Sequence, residues 1–396
     1  MRQFFISIFK ASKSVLNSKF KWIAILFFIL LYRIEFMQDT GFGFAKILQI
    51  IMTFGILILT LKKAPNIIKF TITRTNAPII TLLVLYLYAL LSSIWSFLPA
   101  FSLFLSFQNL VIIFLCAYIF SIPKNFYSLE KLFLYLCTFI CLFEILCNRI
   151  IEGGLFNHFL TAGSLSAIIL TYSFAEYIRS KNFSSERERT LKYSILISFI
   201  VLILSTSAGA NAAAVFGIGI AFLLSKRFLY FAFIITCGIV LFFNEQYYEE
   251  LLLFIMPGKT MEVIESGTGR DYIWDNLIEI AKQKPLLGWG FACIERVNPF
   301  IIKNQILSDA HSNFIGIYGS LGIIGLIIYF AHVLSCLRFS LIKHKNKGML
   351  GLLCAFCCAT LNGYSYGFLS GKTVTTTIAY IMIVILFFYY NKRSNA

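Results

Sequence analysis

FSLFLSFQNLVIIFLCAYIF, residues 101–120, decides what kind of protein this is. The stretch passes without one charged side chain and has the roughly 20-residue length a helix needs to cross a hydrocarbon core. Trp22 to Tyr32, Ile79 to Leu91 and Tyr380 to Tyr390 are equally free of charge. Across the whole chain 59% of residues are hydrophobic and 13% charged, with a mean hydropathy of +0.82. Those values lie far outside the range of soluble domains and require an integral membrane protein. Continuous apolarity without alternation selects helices over a barrel.

The pattern predicts an all-α polytopic membrane protein with about twelve spans, near 22–37, 44–61, 78–97, 102–121, 131–148, 158–176, 191–206, 209–225, 228–244, 312–335, 348–367 and 373–390. Residues 1–21 are basic and amphipathic, with no small-residue cleavage site after a short apolar core. They are expected to form a retained interfacial segment. Transmembrane helices 1–9 then occupy 22–243, one long polar loop 244–311, and helices 10–12 with a short tail 312–396.

Six basic clusters, around Lys62, Lys124, Arg187, Lys226, Lys345 and Arg393, fall on one side of a twelve-span arrangement. The positive-inside rule makes that side cytoplasmic, with both termini there and the long loop periplasmic. The net charge of +16 is therefore a topology signal, and a nucleic-acid partner is not expected. The loop carries the opposite sign, acidic by four, with Glu249, Glu265, Asp271, Asp275 and Glu295 among its acids. Cys293 is its single cysteine, so no extracytoplasmic disulfide framework is available. Cys354, Cys357 and Cys358 lack a nearby His or acid to complete a metal set and read as small packing residues; no metal and no cofactor are expected.

Within the loop, Ile273, Trp274, Leu277, Ile278 and Ala281 recur at helical spacing after Gly267-Thr268-Gly269. This predicts an amphipathic helix capped by Thr268, lying along the membrane surface and ended at Pro285-Leu286-Leu287-Gly288-Trp289-Gly290. Its N-terminal amides beside Arg270 can form an anion site. An ion pair of Arg270 with Asp271 or Glu265 is the alternative. The loop closes on Asp309-Ala310-His311-Ser312-Asn313, before a span with glycines at 316, 319, 322 and 325 that is expected to admit a second helix at close range. His311 can serve there as a proton acceptor or hydrogen-bond donor, or lie as a solvated interfacial side chain.

Gly269-Arg270 with Trp274, then Pro285 to Gly290, then Ala310-His311-Ser312-Asn313 and its glycine-lined helix together resemble the signature region of the O-antigen ligase and polysaccharide polymerase superfamily. Ser93-Ile94-Trp95-Ser96 with Pro99, and the turn from Gly154 to Leu165, resemble it as well. The resemblance implies a metal-independent glycosyltransferase that takes a glycan from undecaprenyl diphosphate at the periplasmic face of the bacterial inner membrane. The acceptor would be the hydroxyl of a repeat unit or of a lipid A core. It implies that Arg270 grips the diphosphate and that His311 acts on the acceptor. Trp274, Trp289 and Asn313 are further candidates for substrate contact.

The family often has a second Arg where this chain reads Leu204-Ser205-Thr206-Ser207-Ala208-Gly209-Ala210-Asn211. Ser205, Ser207 and Asn211 can offer weaker neutral donors, with Lys259, Arg296 or Lys303 as substitute cations; a small-residue helix contact is the other reading of this segment. A polymerase joining repeat units is favoured, chiefly by the missing Arg, over a ligase to lipid A core. A flippase or other transporter stands third, since no internal repeat relates the halves. Protein-directed relatives commonly add a domain after the last span, and the chain ends at Ala396, which lowers that reading. Membrane lipids, and for a polymerase a chain-length regulator, would be partners.

Overall fold

The computed structural model describes residues 43–61, 77–121, 126–150, 159–179, 184–243, 270–297, 310–345 and 348–394, with short pieces between 249 and 306. The expected span at 22–37, the interfacial segment 1–21 and Thr268 lie outside the described residues. The helices are α1 (Gly43–Leu61), α2 (Ala77–Leu91), α3 (Pro99–Ser121), α4 (Phe126–Ile150), α5 (Phe159–Arg179), α6 (Ser185–Leu204), α7 (Ala208–Leu224), α8 (Phe228–Phe243), α9 (Arg270–Lys282), α10 (Ile294–Val297), α11 (Asn313–Lys343), α12 (Met349–Ser365) and α13 (Thr375–Ser394). A 3-10 turn, Ser92–Ile94, extends α2. A two-residue antiparallel pair, Ile301–Ile302 with Gln305–Ile306, is the β-structure among the described residues. Every other expected span coincides with a helix. Three, at 77–94, 99–119 and 313–343, are long and apolar enough by themselves to cross a membrane; α7, α12 and parts of α1, α8 and α13 are shorter apolar helices.

Local chemistry sets several helix boundaries. Ser184 caps α6 by accepting from the Arg187 amide at 3.4 Å, and Glu186 and Glu188 stand in the first turn against the positive dipole end. Ser207 caps α7 in the same way through the Ala210 amide. Helix α5 is the hub of one half of the bundle, fully buried from Thr161 to Tyr172 and packed by α4, α6, α7 and α12. Helices α2, α3, α11 and α13 form the other half.

Polar ties join these helices inside the apolar bundle. His332 of α11 shares a 3.0 Å hydrogen bond with the Thr81 hydroxyl of α2 and a 2.9 Å bond with Tyr380 of α13. Gln108 of α3 accepts from Gln49 of α1 at 3.0 Å and donates to Thr53 at 3.1 Å, while Thr373 donates to Asn109 at 3.0 Å. Each pairing satisfies groups that would otherwise be costly in a low-dielectric setting.

At one end of the bundle the basic turns meet. Arg187 forks onto Glu130 at 2.8 and 2.7 Å and reaches Glu176 at 2.8 Å; both carboxylates are about 2% exposed. Burial disfavours the guanidinium's charge, but the hydrogen bonds and charges of Glu130 and Glu176 outweigh it and raise the Arg187 pKa. Glu176 also accepts from the Gly348 and Gly351 amides at 3.0 Å, which makes it the anionic cap of α12. Glu176 is thus the centre of a four-helix junction. Arg227 donates to the Ile178 carbonyl at this same end.

The glycines of α11 do not admit another spanning helix, contrary to expectation; loop residues and the short α10 fill them. Gly316 faces Ser370, Gly319 faces Ile294 of α10, and Gly322 faces the Leu286 and Leu287 backbone. Helix α11 is broken at Gly322, where φ is 67° and ψ −167°, a region open essentially to glycine alone. The groups released there are taken up by Pro285 to Gly290: the Ile323 amide donates to the Pro285 carbonyl at 2.8 Å, and the Trp289 and Gly290 amides donate to the Gly319 and Ser320 carbonyls at 3.0 and 2.8 Å. Irregular backbone at such depth is tolerated where protein satisfies it.

Helix α9 also departs from its expected placement. Ile273, Leu277, Ile280 and Ala281 are buried with Ile294 and Ala310, and with Ile315 and Tyr318 of α11 packed against them. Its apolar stripe is covered by the chain and not turned toward a bilayer.

Candidate functional site

The signature motifs converge at the end of the bundle opposite the Glu130–Arg187 junction. Pro285 to Gly290 is sewn to the end of α2 as well as to α11: the Trp95 indole donates to the Leu287 carbonyl at 3.0 Å, and the Phe97 amide to the Trp289 carbonyl at 2.8 Å. A side chain at Gly290 would overlap Ser96. Two motifs some 190 residues apart are thus one hydrogen-bonded unit. Trp289 belongs to that unit. Its indole donates to the Ile280 carbonyl at 2.9 Å, its ring meets Phe97 edge-on, and Lys284 lies 4.1 Å over it.

Arg270 is the first residue of α9 and half-buried. One turn on, Trp274 donates from its indole to the Ala310 carbonyl at 3.0 Å and meets the Tyr364 ring edge-on at 5.3 Å. Ala310 is fully buried, and its amide donates to a Glu295 carboxylate oxygen at 3.2 Å. His311 follows with a φ of 50°, in the left-handed region that non-glycine residues rarely enter. Ser312 then starts α11, its carbonyl accepting from the Gly316 amide at 3.0 Å. The Asn313 side-chain oxygen Oδ1 accepts from the Phe368 and Leu369 amides at 2.8 and 2.7 Å, tying this corner to the α12–α13 turn.

The outer end of α12 links these residues to the segment 205–211. Gly363 lies against the Asn313 side chain, and Gly209 against Ser365 with Asn362 nearby. Arg270, Trp274, His311 and Asn313 therefore belong to one region, with Ser207 and Asn211 at its α7 side. Ser205 is buried against Gly163 and donates to the Leu202 carbonyl at 2.7 Å, and the Ser207 oxygen caps α7, so both hydroxyls already serve helix ends. Of the substitute cations, Arg296 stacks 4.1 Å over the Phe101 ring; Lys259 and Lys303 lie outside the described residues.

Sequence reading missed Glu295, Asn362 and Tyr364. Asn362 is 2% exposed and its amide nitrogen meets no acceptor among the described residues; Tyr364 is exposed beside Trp274 and Phe314. The signal was available as Asn362-Gly363-Tyr364-Ser365, a polar interruption at the end of an apolar run. Cys354 and Cys358 line the contact with Gly217 of α7. Among the described residues, no three His, Cys, Asp or Glu side chains gather as a metal set.

Among curated proteins none matches this chain. Residues 193–330, from α6 through the loop and past the break in α11, match the family model described as O-Antigen ligase. That stretch holds Arg270, His311 and the interlocked glycine motif, and over it the chain is similar to the O-antigen ligase family.

Proposed function

We propose that this protein is a glycosyltransferase that moves a glycan from undecaprenyl diphosphate to a sugar hydroxyl at the periplasmic face of the inner membrane, most simply by joining repeat units. The observation that carries the reading is the fixed corner at 310–313. It holds His311 in a rare backbone geometry beside the helix that starts at Arg270.

The acceptor oxygen attacks the anomeric carbon as the bond to the diphosphate breaks, and undecaprenyl diphosphate departs with the bonding pair. Arg270, with its fork of donors and the positive end of α9 behind it, offsets the charge that grows on the leaving group. His311 takes the proton of the attacking hydroxyl. Exposed Tyr364, with Trp274 against it, offers an aromatic surface for a sugar ring. A ligase transferring finished glycan to lipid A core is the second reading, favoured by the description of the matching family.

Lipopolysaccharide from a deletion strain separates the possibilities. Loss of long chains with one repeat unit left on the core indicates a polymerase, and long chains retained on the lipid carrier indicate a ligase. An unchanged profile with no accumulated lipid-linked glycan would sink both.

A further inference from the structure

The peptide groups before His311 are held by side chains from two different elements, and the proposed chemistry gives no role to the Glu295 carboxylate or to the Trp274 indole N–H. The Glu295 carboxylate takes the Ala310 amide at 3.2 Å, and the Trp274 indole gives its proton to the Ala310 carbonyl at 3.0 Å. The second bond fixes the plane of the peptide joining Ala310 to His311. The first fixes the plane one residue earlier. Downstream, α11 begins at Asn313, whose side chain is bonded to Phe368 and Leu369.

A left-handed φ of 50° on a residue with a side chain is strained and persists only where the surroundings over-determine it. Here they do, from both sides. Glu295 is itself carried on a pinned turn. Ile294 fills the notch at Gly319, the Arg296 amide donates to the Cys293 carbonyl at 2.9 Å, and the Arg296 guanidinium rests on Phe101. Trp274 stands one turn from Arg270 on the same helix. The clamp therefore ties the imidazole to the guanidinium through about one turn of α9.

We infer that Glu295 and Trp274 are positioning residues for His311, acting through the two backbone polar groups of Ala310. This rests on the reading of His311 as the group that acts on the acceptor. In this bond Glu295 acts as a hydrogen-bond acceptor, a role that a neutral side-chain oxygen at the same place can also fill.

The test uses full-length protein in nanodiscs, with lipid-linked oligosaccharide extracted from the deletion strain as donor, and compares single-turnover transfer with donor affinity and thermal melting. Glu295→Gln keeps an oxygen for the Ala310 amide and should transfer within about threefold of wild type. Glu295→Ala, and Trp274→Phe, which keeps the ring and loses the N–H, should slow transfer roughly ten- to hundredfold, the range a misplacement of about 1 Å can produce. Donor affinity should not change.

In a His311→Asn background, adding Glu295→Ala should cost nothing further, since a side chain that acts through His311 has no effect once the imidazole is gone. Equal losses from Glu295→Ala with and without His311 would overturn the proposal, as would a Gln variant as slow as the Ala variant. If Glu295→Ala melts early, the Gln variant and Trp274→Phe still decide. Normal transfer by His311→Asn is a different failure: it removes His311 from the reaction, whatever the Glu295 variants do.

Discussion

Arg270 stands at the first residue of α9, where the helix dipole reinforces a guanidinium. Arg270→Lys keeps the charge and loses the planar fork that matches two phosphate oxygens, so glycan transfer should fall clearly. Arg270→Ala should fall further, by about a hundredfold. Ladders of equal length and intensity from wild type and the Ala variant, at matched membrane protein levels, would exclude it from the site. At His311 the backbone dictates the choice of variant. Alanine would carry the strain of a φ of 50° without benefit, whereas asparagine enters the left-handed region readily and has no imidazole. His311→Asn should therefore melt within about 0.5 kcal/mol of wild type. Its transfer should nevertheless drop by roughly a hundredfold or more, as expected on losing a general base; early melting of His311→Asn would make the residue structural.

The broken α11 and the segment Pro285 to Gly290 form one element in physical terms, because each satisfies the other's backbone. A methyl at Gly322 would overlap the Leu286 carbonyl, at a φ and ψ that side chains do not adopt. Gly322→Ala should destabilise the protein by at least about 1–3 kcal/mol and uncouple α9 from the bundle. Gly238 of α8 provides the control. A methyl there meets nothing within 4 Å among the described residues, so Gly238→Ala should be neutral or should raise the detergent melting temperature slightly, since Ala is the better helix former by up to about 1 kcal/mol. Similar melting curves for the two variants would show that the interlock contributes little. The glycine period at 316–325 was legible as a close approach. What approaches was not, because spacing marks the absence of side chains and says nothing of the partner.

Across the whole molecule, one set of buried charges holds the end of the bundle opposite the candidate site. Arg187 compensates two buried carboxylates, and the Glu176 carboxylate caps the same α12 whose far end carries Asn362 and Tyr364. Arg187→Met should cost about 3–5 kcal/mol, the range for stranding a buried partner. Adding Glu130→Gln and Glu176→Gln should recover part of that loss; if the triple variant melts no higher than Arg187→Met, the charges are not the cause. Sidedness is a separate expectation, resting on the basic turns and the acidic loop. In a background lacking the native cysteines, Tyr272→Cys should react with an impermeant maleimide added from the periplasm, and Lys226→Cys should react after access to the cytoplasm. The reverse pattern would invert the topology.

Composition and uninterrupted apolar runs such as 101–120 determined by themselves that the chain is a helical membrane protein. Helix placement followed too, since burial in lipid writes itself into sequence as length and lack of charge. The order of Arg270, Trp274, Pro285 to Gly290 and His311 carried the resemblance to the family. What the sequence could not carry was pairing across distance. That Ser93 to Ser96 meets Leu287 to Gly290, that Glu176 caps a helix starting more than 170 residues later, and that Glu295 grips the residue before His311 all depend on which backbone groups face each other after packing. A hydrogen bond to a main-chain group leaves no mark on the identity of the residue that supplies it. For that reason tertiary structure alone decided where the imidazole is held and what holds it.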